Sequence, residues 1–387
     1  RKSVLPLQLF ILSCSHFFRY VEYDMASIKA LIVFRENGET DNLFVPILCD
    51  AIRMAGIDVR CSQKEFWESD TTYDIIHFQW PEEVVGWICE DHDVIRRLKE
   101  RIAFFRSRGA HFVYTRHNIR PHYANEVISR AYDIIESESD IVVHMGHYSL
   151  TEFIEKHPGS RNVVIPHHIY QYTYKEDISI ERARQYLNLP QEAFIVTAFG
   201  KFRNREEIRM VASAFCKWNE KNKLLLAPRL YPFSRRNEYG WNLFKRWASR
   251  LGYYLAMPLL NRLLKFHAGA NDELIDNCDL PYYIAASDVI FIQRKDILNS
   301  GNVPLGFLFH KVVVGPTTGN IGEILSATGN PTFHPDDRSD ILEALERARQ
   351  LSAWGQGEKN YAYALENMNI RKIGKEYAQT YKDVING

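Results

Sequence analysis

Apolar residues fall along this chain in two alternating rhythms. Short continuous runs, such as Ala30 to Phe34, His111 to Thr115 and Asp140 to His144, are the pattern of strands buried on both faces. Between them, Phe44 to Ala55 and Val94 to Arg108 repeat apolar residues at helical spacing, each closed by a glycine, Gly56 and Gly109. Asp58 to Cys61, Tyr73 to Phe78 and Val163 to Pro166 complete a first series of strands. After a charge-rich stretch from Tyr174 to Glu192 the alternation restarts, with strands expected over 194–199, 223–227, 289–292 and 311–314. Helices are expected over 205–219, 303–309, 321–327 and 339–351, with a final amphipathic segment over 373–385.

Strand and helix in alternation imply parallel sheets covered on both sides. The fold class expected is α/β, with two Rossmann-like, doubly wound domains facing across a cleft. At 387 residues the chain exceeds what one core usually serves. The divisions expected are an N-terminal extension without function over 1–24, a first domain over 25–175, a linker over 176–192 and a second domain over 193–365. A last segment over 366–387 would cross back. Ligands bind such sheets at the carboxyl ends of their strands, which puts the site between the domains.

Lys plus Arg and Asp plus Glu are 48 each, so no global field favours nucleic acid or an anionic surface, and any anion preference must be local. Six scattered cysteines without a Cys-x-x-Cys pair read as free thiols in a reducing compartment. The apolar run Leu5 to Leu12 is too short to span a bilayer, which takes about 20 residues. A cytoplasmic setting is therefore expected, extending to the inner face of a membrane. Residues 235–268 form a basic, aromatic insertion in the second domain. Such a helix can lie in a membrane interface, but most amphipathic helices face a core, so packing on its own domain is the expectation.

Three turns of the second half carry candidate chemistry. Strand, Gly200, then Lys201, Arg203 and Arg205 before a helix form a ready anion site, although the same residues also suit a solvated basic turn. Asn299-Ser300-Gly301 opens the next helix and offers N–H groups to a diphosphate. The glycine-rich loop with Asn320 and Glu323 could hold a ribose or sugar hydroxyl. In the first half, His117 and His122 follow a strand and suit proton transfer near neutrality, while Asp41 and Glu82 are carboxylate candidates. No tight metal-ligand spacing occurs, so no metal is expected and the basic turns would neutralise the leaving group.

Taken in order, Gly200-Lys201-x-Arg203, Ser287-Asp288-Val289-Ile290, Asn299-Ser300-Gly301 and Val312-Val313-Val314-Gly315-Pro316-x-x-Gly319-x-Ile321-x-Glu323 resemble the donor half of GT-B glycosyltransferases. The group that makes bacterial surface polysaccharides and exopolysaccharides is the nearest likeness. His77-Phe78-Gln79-Trp80-Pro81-Glu82 is similar to its His-x-His-Trp-Pro-Glu, and Thr115-Arg116-His117-Asn118-Ile119-Arg120-Pro121-His122 to its Thr-x-His-Asn-x-x-Pro-His. The likeness covers about residues 28 to 345. It implies transfer of a sugar from a nucleotide-diphosphate sugar, a co-substrate and not a resident cofactor, to a saccharide or lipid-linked acceptor, with His117 in the cleft. Many retaining members carry two glutamates eight positions apart where this chain has Ile297 and Leu305. That departure leaves retention or inversion open, and with it two alternatives: a sugar-nucleotide epimerase, and a binding protein without chemistry.

Overall fold

The computed structural model describes residues 27–36, 42–121, 125–230, 243–269 and 274–387. The first sheet comprises β1 (Lys29–Val33), β2 (Asp58–Cys61), β3 (Ile75–Phe78), β4 (His111–Thr115), β5 (Ile141–His144) and β6 (Asn162–Val164), all parallel, in the order 2-1-3-4-5-6. The second comprises β7 (Phe194–Thr197), β8 (Lys223–Ala227), β9 (Phe266–Ala268), β10 (Val289–Phe291), β11 (Val312–Pro316) and β12 (Thr332–Phe333). It is also parallel, in the order 12-11-10-7-8-9. The short strands β9 and β12 were not expected from the apolar pattern, because neither carries an apolar run of its own.

Both sheets are buried on two faces, which explains their continuous apolar runs. Successive strand residues point to opposite sides. Leu31 and Val33 join Phe66, Phe105 and Phe112 on one face of the first sheet, and Ala30 and Ile32 join Phe44, Leu48 and Ile52 on the other. In the second sheet Ile195 and Ile290 face one core, and Val196 and Phe291 the opposite one.

The final helix, Ile370–Ile385, leaves the second domain and packs on the first. Ile373, Tyr377 and Tyr381 enter the core beside helix Phe44–Met54. The two helices touch backbone to backbone at Gly374, where a Cβ would meet the Ala51 carbonyl oxygen at 2.1 Å. Residues 176–192, expected as a linker, carry helix Ile180–Tyr186, and Ile178, Ala183 and Leu189 sit in the second domain's core. The two passages between domains run side by side, Ile169 N–H donating to the Met368 carbonyl at 2.8 Å.

The insertion corrects an expectation. Its helical run over 243–264 does not bury its apolar side on its own domain: between 243 and 264 only Ser249 and Met257 are buried. Of the five described cysteines, all free thiols, Cys216 and Cys278 are exposed. No described helix is long and apolar enough to cross a membrane.

Candidate active site

In a doubly wound sheet the strand order reverses at one point, and the loops there diverge to leave a crevice. In the second sheet the reversal lies between β7 and β10, whose carboxyl ends lead to Gly200-Lys201 and Gln293-Arg294. Asn204 caps helix Arg205–Lys217 by accepting from Glu207 N–H, which fixes the turn. Glu207 is buried and organises the cations around it. Its carboxylate accepts the main-chain N–H of Arg203 at 2.7 Å and the Arg294 guanidinium at 2.6 Å. Burial, followed by the positive charge of Arg203, lowers the Arg294 pKa to about 10, and Arg229 adds to the effect. Three arginines thus converge where two were not legible in the sequence: Arg229 and Arg294 each follow a strand end that becomes adjacent only in the folded sheet. Lys201 is half-buried, and Arg203 and Arg205 are exposed. Lys295 points outward to Glu206 and Asp336.

A cavity of about 470 Å³ opens beside this cluster. Phe199, Gly200, Arg229, Gly301, Asn302 and Leu305 line it from the second domain, Asn42 and Leu43 from the first, and Tyr170 and Tyr174 from the passage between them. A Cβ on Gly301 would meet the Tyr170 hydroxyl at 2.7 Å, so a larger residue here would have to push that ring aside. Leu305 makes the wall apolar at a position where the resemblance implies an acid.

Not all the predicted donor residues face this cavity. Ser300 Oγ accepts Asn302 N–H at 3.3 Å. Asn299 Nδ2 donates to the carbonyl oxygens of His117 at 3.0 Å and Arg116 at 3.4 Å, and its Oδ1 accepts from Asn320. Asn320 Oδ1 accepts Ser149 N–H at 3.0 Å. The Glu323 carboxylate accepts the N–H groups of His147 and Tyr148 at 3.0 and 2.7 Å. Helix His147–Lys156 begins at Gly146, which has no side chain to cap it, and Glu323 of the other domain takes that role. Asn299, Asn320 and Glu323 are therefore a seam between domains. The signal available in the sequence was the uncapped Gly146 helix start.

The first domain's wall is built on Phe44, Trp80 and the histidines His77, His117, His167 and His168. His117 is stacked on Trp80 at 3.6 Å and meets Phe44 edge-on at 5.0 Å. Its ring lies one layer behind the cavity lining, with Nε2 2.8 Å from Gln79 Oε1. Gln79 Nε2 is 3.0 Å from His77 Nε2, which Thr115 Oγ1 also approaches at 2.8 Å, while His77 Nδ1 is 2.7 Å from Tyr381 Oη. Burial holds His117 well below the ordinary histidine range, helped by His167. His77 and His167 are lowered to about 3 for the same first cause. All are neutral near pH 7. Glu82 is buried away from the cleft against the Tyr132 hydroxyl, and burial raises its pKa. His122 and Asp41, both expected as catalytic candidates, lie outside the described residues, as does the 1–24 extension. Among the described residues no group of three His, Cys, Asp or Glu side chains is placed to hold a metal ion.

Two parallel Rossmann-like sheets, each with one reversal of strand order, facing across a cavity and joined by a crossing C-terminal helix, are found together in a known architecture. The structure superposes along almost its whole length on sucrose-phosphate synthase from Thermosynechococcus elongatus, with a TM-score of 0.65 at 16% identity over 93% of this chain and 99% of the other. The chain has the GT-B fold. HepE of Anabaena, solved with UDP-glucose, matches at 0.61 and 15% identity over 92% of this chain and all of its own. The catalytic domain of starch synthase IV from Arabidopsis thaliana, bound to ADP and acarbose, matches at 0.63 and 10% identity over 93% of this GT-B chain and 99% of the other. No family model and no curated protein sequence matches.

Proposed function

We propose that this protein transfers a glycosyl group from a nucleotide-diphosphate sugar to a hydroxyl of a saccharide or lipid-linked saccharide. The observation that carries the reading is the cavity between the domains, whose glycine-lined floor adjoins Arg203, Arg229 and Arg294. Cations at strand ends near a helix start suit a diphosphate, and suit it better as negative charge builds on the leaving oxygen. The GT-B structures that match include ones solved with UDP, UDP-glucose and ADP, which supports a donor of this kind.

In the reaction the acceptor oxygen bonds to the anomeric carbon, the bond from that carbon to the phosphate oxygen breaks, and the acceptor's proton passes to a base. His117 is the base proposed, on the strength of the motif it sits in. His117→Ala, expected to abolish transfer with the fold intact, tests whether its ring, buried behind the described lining, serves the acceptor. Gln79 Oε1 can only accept, so Nε2 of His117 carries its N–H and Nδ1 keeps the lone pair. We assign neutralisation of the leaving diphosphate to the arginines, so transfer should survive a chelator. An epimerase would need a proton-abstracting group beside the sugar. The one carboxylate on the described cavity lining, Asp276, instead accepts Cys278 N–H at 2.7 Å.

Nucleotide release from UDP-, GDP-, ADP- and TDP-sugars, with and without saccharide acceptors and with excess EDTA, tests this reading. Acceptor-dependent release that persists in EDTA is expected. Isomerised sugar without transfer, or binding without product, would replace the reading with one of its alternatives. Arg203→Ala should weaken nucleoside diphosphate binding by about tenfold, a loss of about 1.4 kcal/mol, and leave nucleoside binding unchanged. Equal losses for both ligands would remove Arg203 from the phosphate site.

A further inference from the structure

The run over 243–264 consists of helix Leu243–Leu251, a π turn over Gly252–Ala256 and helix Met257–Leu264. It would measure about 33 Å at 1.5 Å per residue. Phe244, Trp247, Leu251, Leu255, Leu259 and Leu263 follow one another at steps of three or four, and all are exposed, Phe244 at 73%, Leu255 at 66% and Leu263 at 67%. Repeated steps of four drift around an α-helix; the π turn, which takes more residues per turn, offsets part of that drift and keeps the apolar residues on one side. A water-soluble protein seldom leaves so long an apolar stripe uncovered unless something else covers it.

The charges beside the stripe say what that is. Between 243 and 269 there are five basic residues, Lys245, Arg246, Arg250, Arg262 and Lys265, and no acidic one, in a chain whose overall charge is balanced. Opposite charges would be expected on a face meant for a second copy of a neutral protein, since a self-matching surface places like charges against each other. An aromatic and leucine stripe flanked by cations is instead complementary to a bilayer interface with negative headgroups. We infer that the 243–264 helix docks this protein onto an anionic phospholipid bilayer, its apolar side entering the headgroup boundary. Arg229 and Leu274, which flank this stretch in the chain, both line the cavity. Resting on the transfer reading, this deepens it: the acceptor would be a saccharide carried on a lipid.

Flotation of the full chain with vesicles, without donor or acceptor, tests the docking separately from transfer. Vesicles of phosphatidylcholine with 30 to 50% phosphatidylglycerol (about one negative lipid in two or three) should carry the protein upward, and pure phosphatidylcholine far less. Raising the salt to 1 M, where the Debye length is about 3 Å, should weaken the binding. The variant Phe244→Ser, Trp247→Ser, Leu251→Ser changes only exposed positions. It should keep the thermal midpoint and lose binding about tenfold or more. Wild type that does not float with anionic vesicles, or a variant that floats equally well, overturns the inference. So does a wild-type dimer in sedimentation that the variant abolishes without any vesicle binding, since the stripe would then be covered by a second copy. Deleting residues 1–26 should leave flotation unchanged; loss of flotation on that deletion would move the docking element away from 243–264. Acceptor-dependent transfer without flotation would sink the docking alone, and flotation without transfer would sink only the catalytic reading.

Discussion

A neutral imidazole carries one N–H, so each partner that a buried histidine accepts or donates to constrains its other nitrogen. Gln79 lies between His117 and His77, its oxygen toward the first and its amide nitrogen toward the second. His77 Nε2 then accepts, and its Nδ1–H donates to Tyr381 on the C-terminal helix. The hydrogen-bond chain from His117 through Gln79 and His77 thus reaches the C-terminal helix. Gln79→Glu keeps the acceptor and adds negative charge beside His117, which raises its pKa. The acid limb of the kcat/KM profile should move to higher pH, while Gln79→Leu should lower kcat by about ten- to a hundredfold with little change in KM. An unchanged pH profile in Gln79→Glu would separate His117 from proton transfer. The motif around His77 to Trp80 was visible in the sequence. The hydrogen bond that gives Gln79 a role joins residues 38 apart and was not.

Among the elements, helix Gly319–Ala327 and helix His147–Lys156 show how an expected ligand contact became a structural one. Glu323 was a carboxylate on a glycine-rich loop, which read as a partner for sugar hydroxyls. The fold sets it against a helix start that exposes unpaired N–H groups, and those groups claim it. Glu323→Ala should destabilise the protein by about 1–2 kcal/mol in urea unfolding, as the loss of a helix cap does, with nucleotide affinity changed by less than about twofold. A tenfold loss of UDP-sugar affinity at unchanged stability would restore Glu323 to the donor site. The basic turn at Gly200 took its place from near neighbours in the sequence, since it precedes a helix whose start is fixed locally by Asn204. Asn299 and Asn320 did not, because their partners lie in the other domain.

At the scale of the molecule, the buried histidines make stability depend on pH. His77 and His167 have pKa values lowered to about 3 and His144 to about 4, all by burial first, against about 6.5 in the unfolded chain. Below pH 6.5 the unfolded chain takes up protons that the folded protein refuses, so stability falls as pH drops through that range. Glu136, raised by burial to about 7, acts oppositely between its ordinary 4.5 and 7: its folded form holds a proton that is lost as pH rises. His117, His157, His168 and His267 are lowered by burial as well, against Glu82, Glu176 and Glu376 raised by burial like Glu136, so among the described groups seven histidines outweigh four glutamates. Unfolding free energy should be lower at pH 5 than at pH 7 by on the order of 2 kcal/mol or more, measured by urea denaturation, and a flat profile would mean that water reaches these rings. The sequence by itself determined the alternation of buried strands and helices, hence two doubly wound domains, and the glycine and arginine turn at the end of β7. These depend on periodicity and on neighbours a few residues apart. Only the tertiary structure decided that Arg229 and Arg294 join Arg203, that Glu323 caps a helix of the opposite domain, and that the 243–264 stripe faces outward. Each of those depends on which surfaces meet after folding, and residues distant in the chain carry no local pattern to announce their meeting.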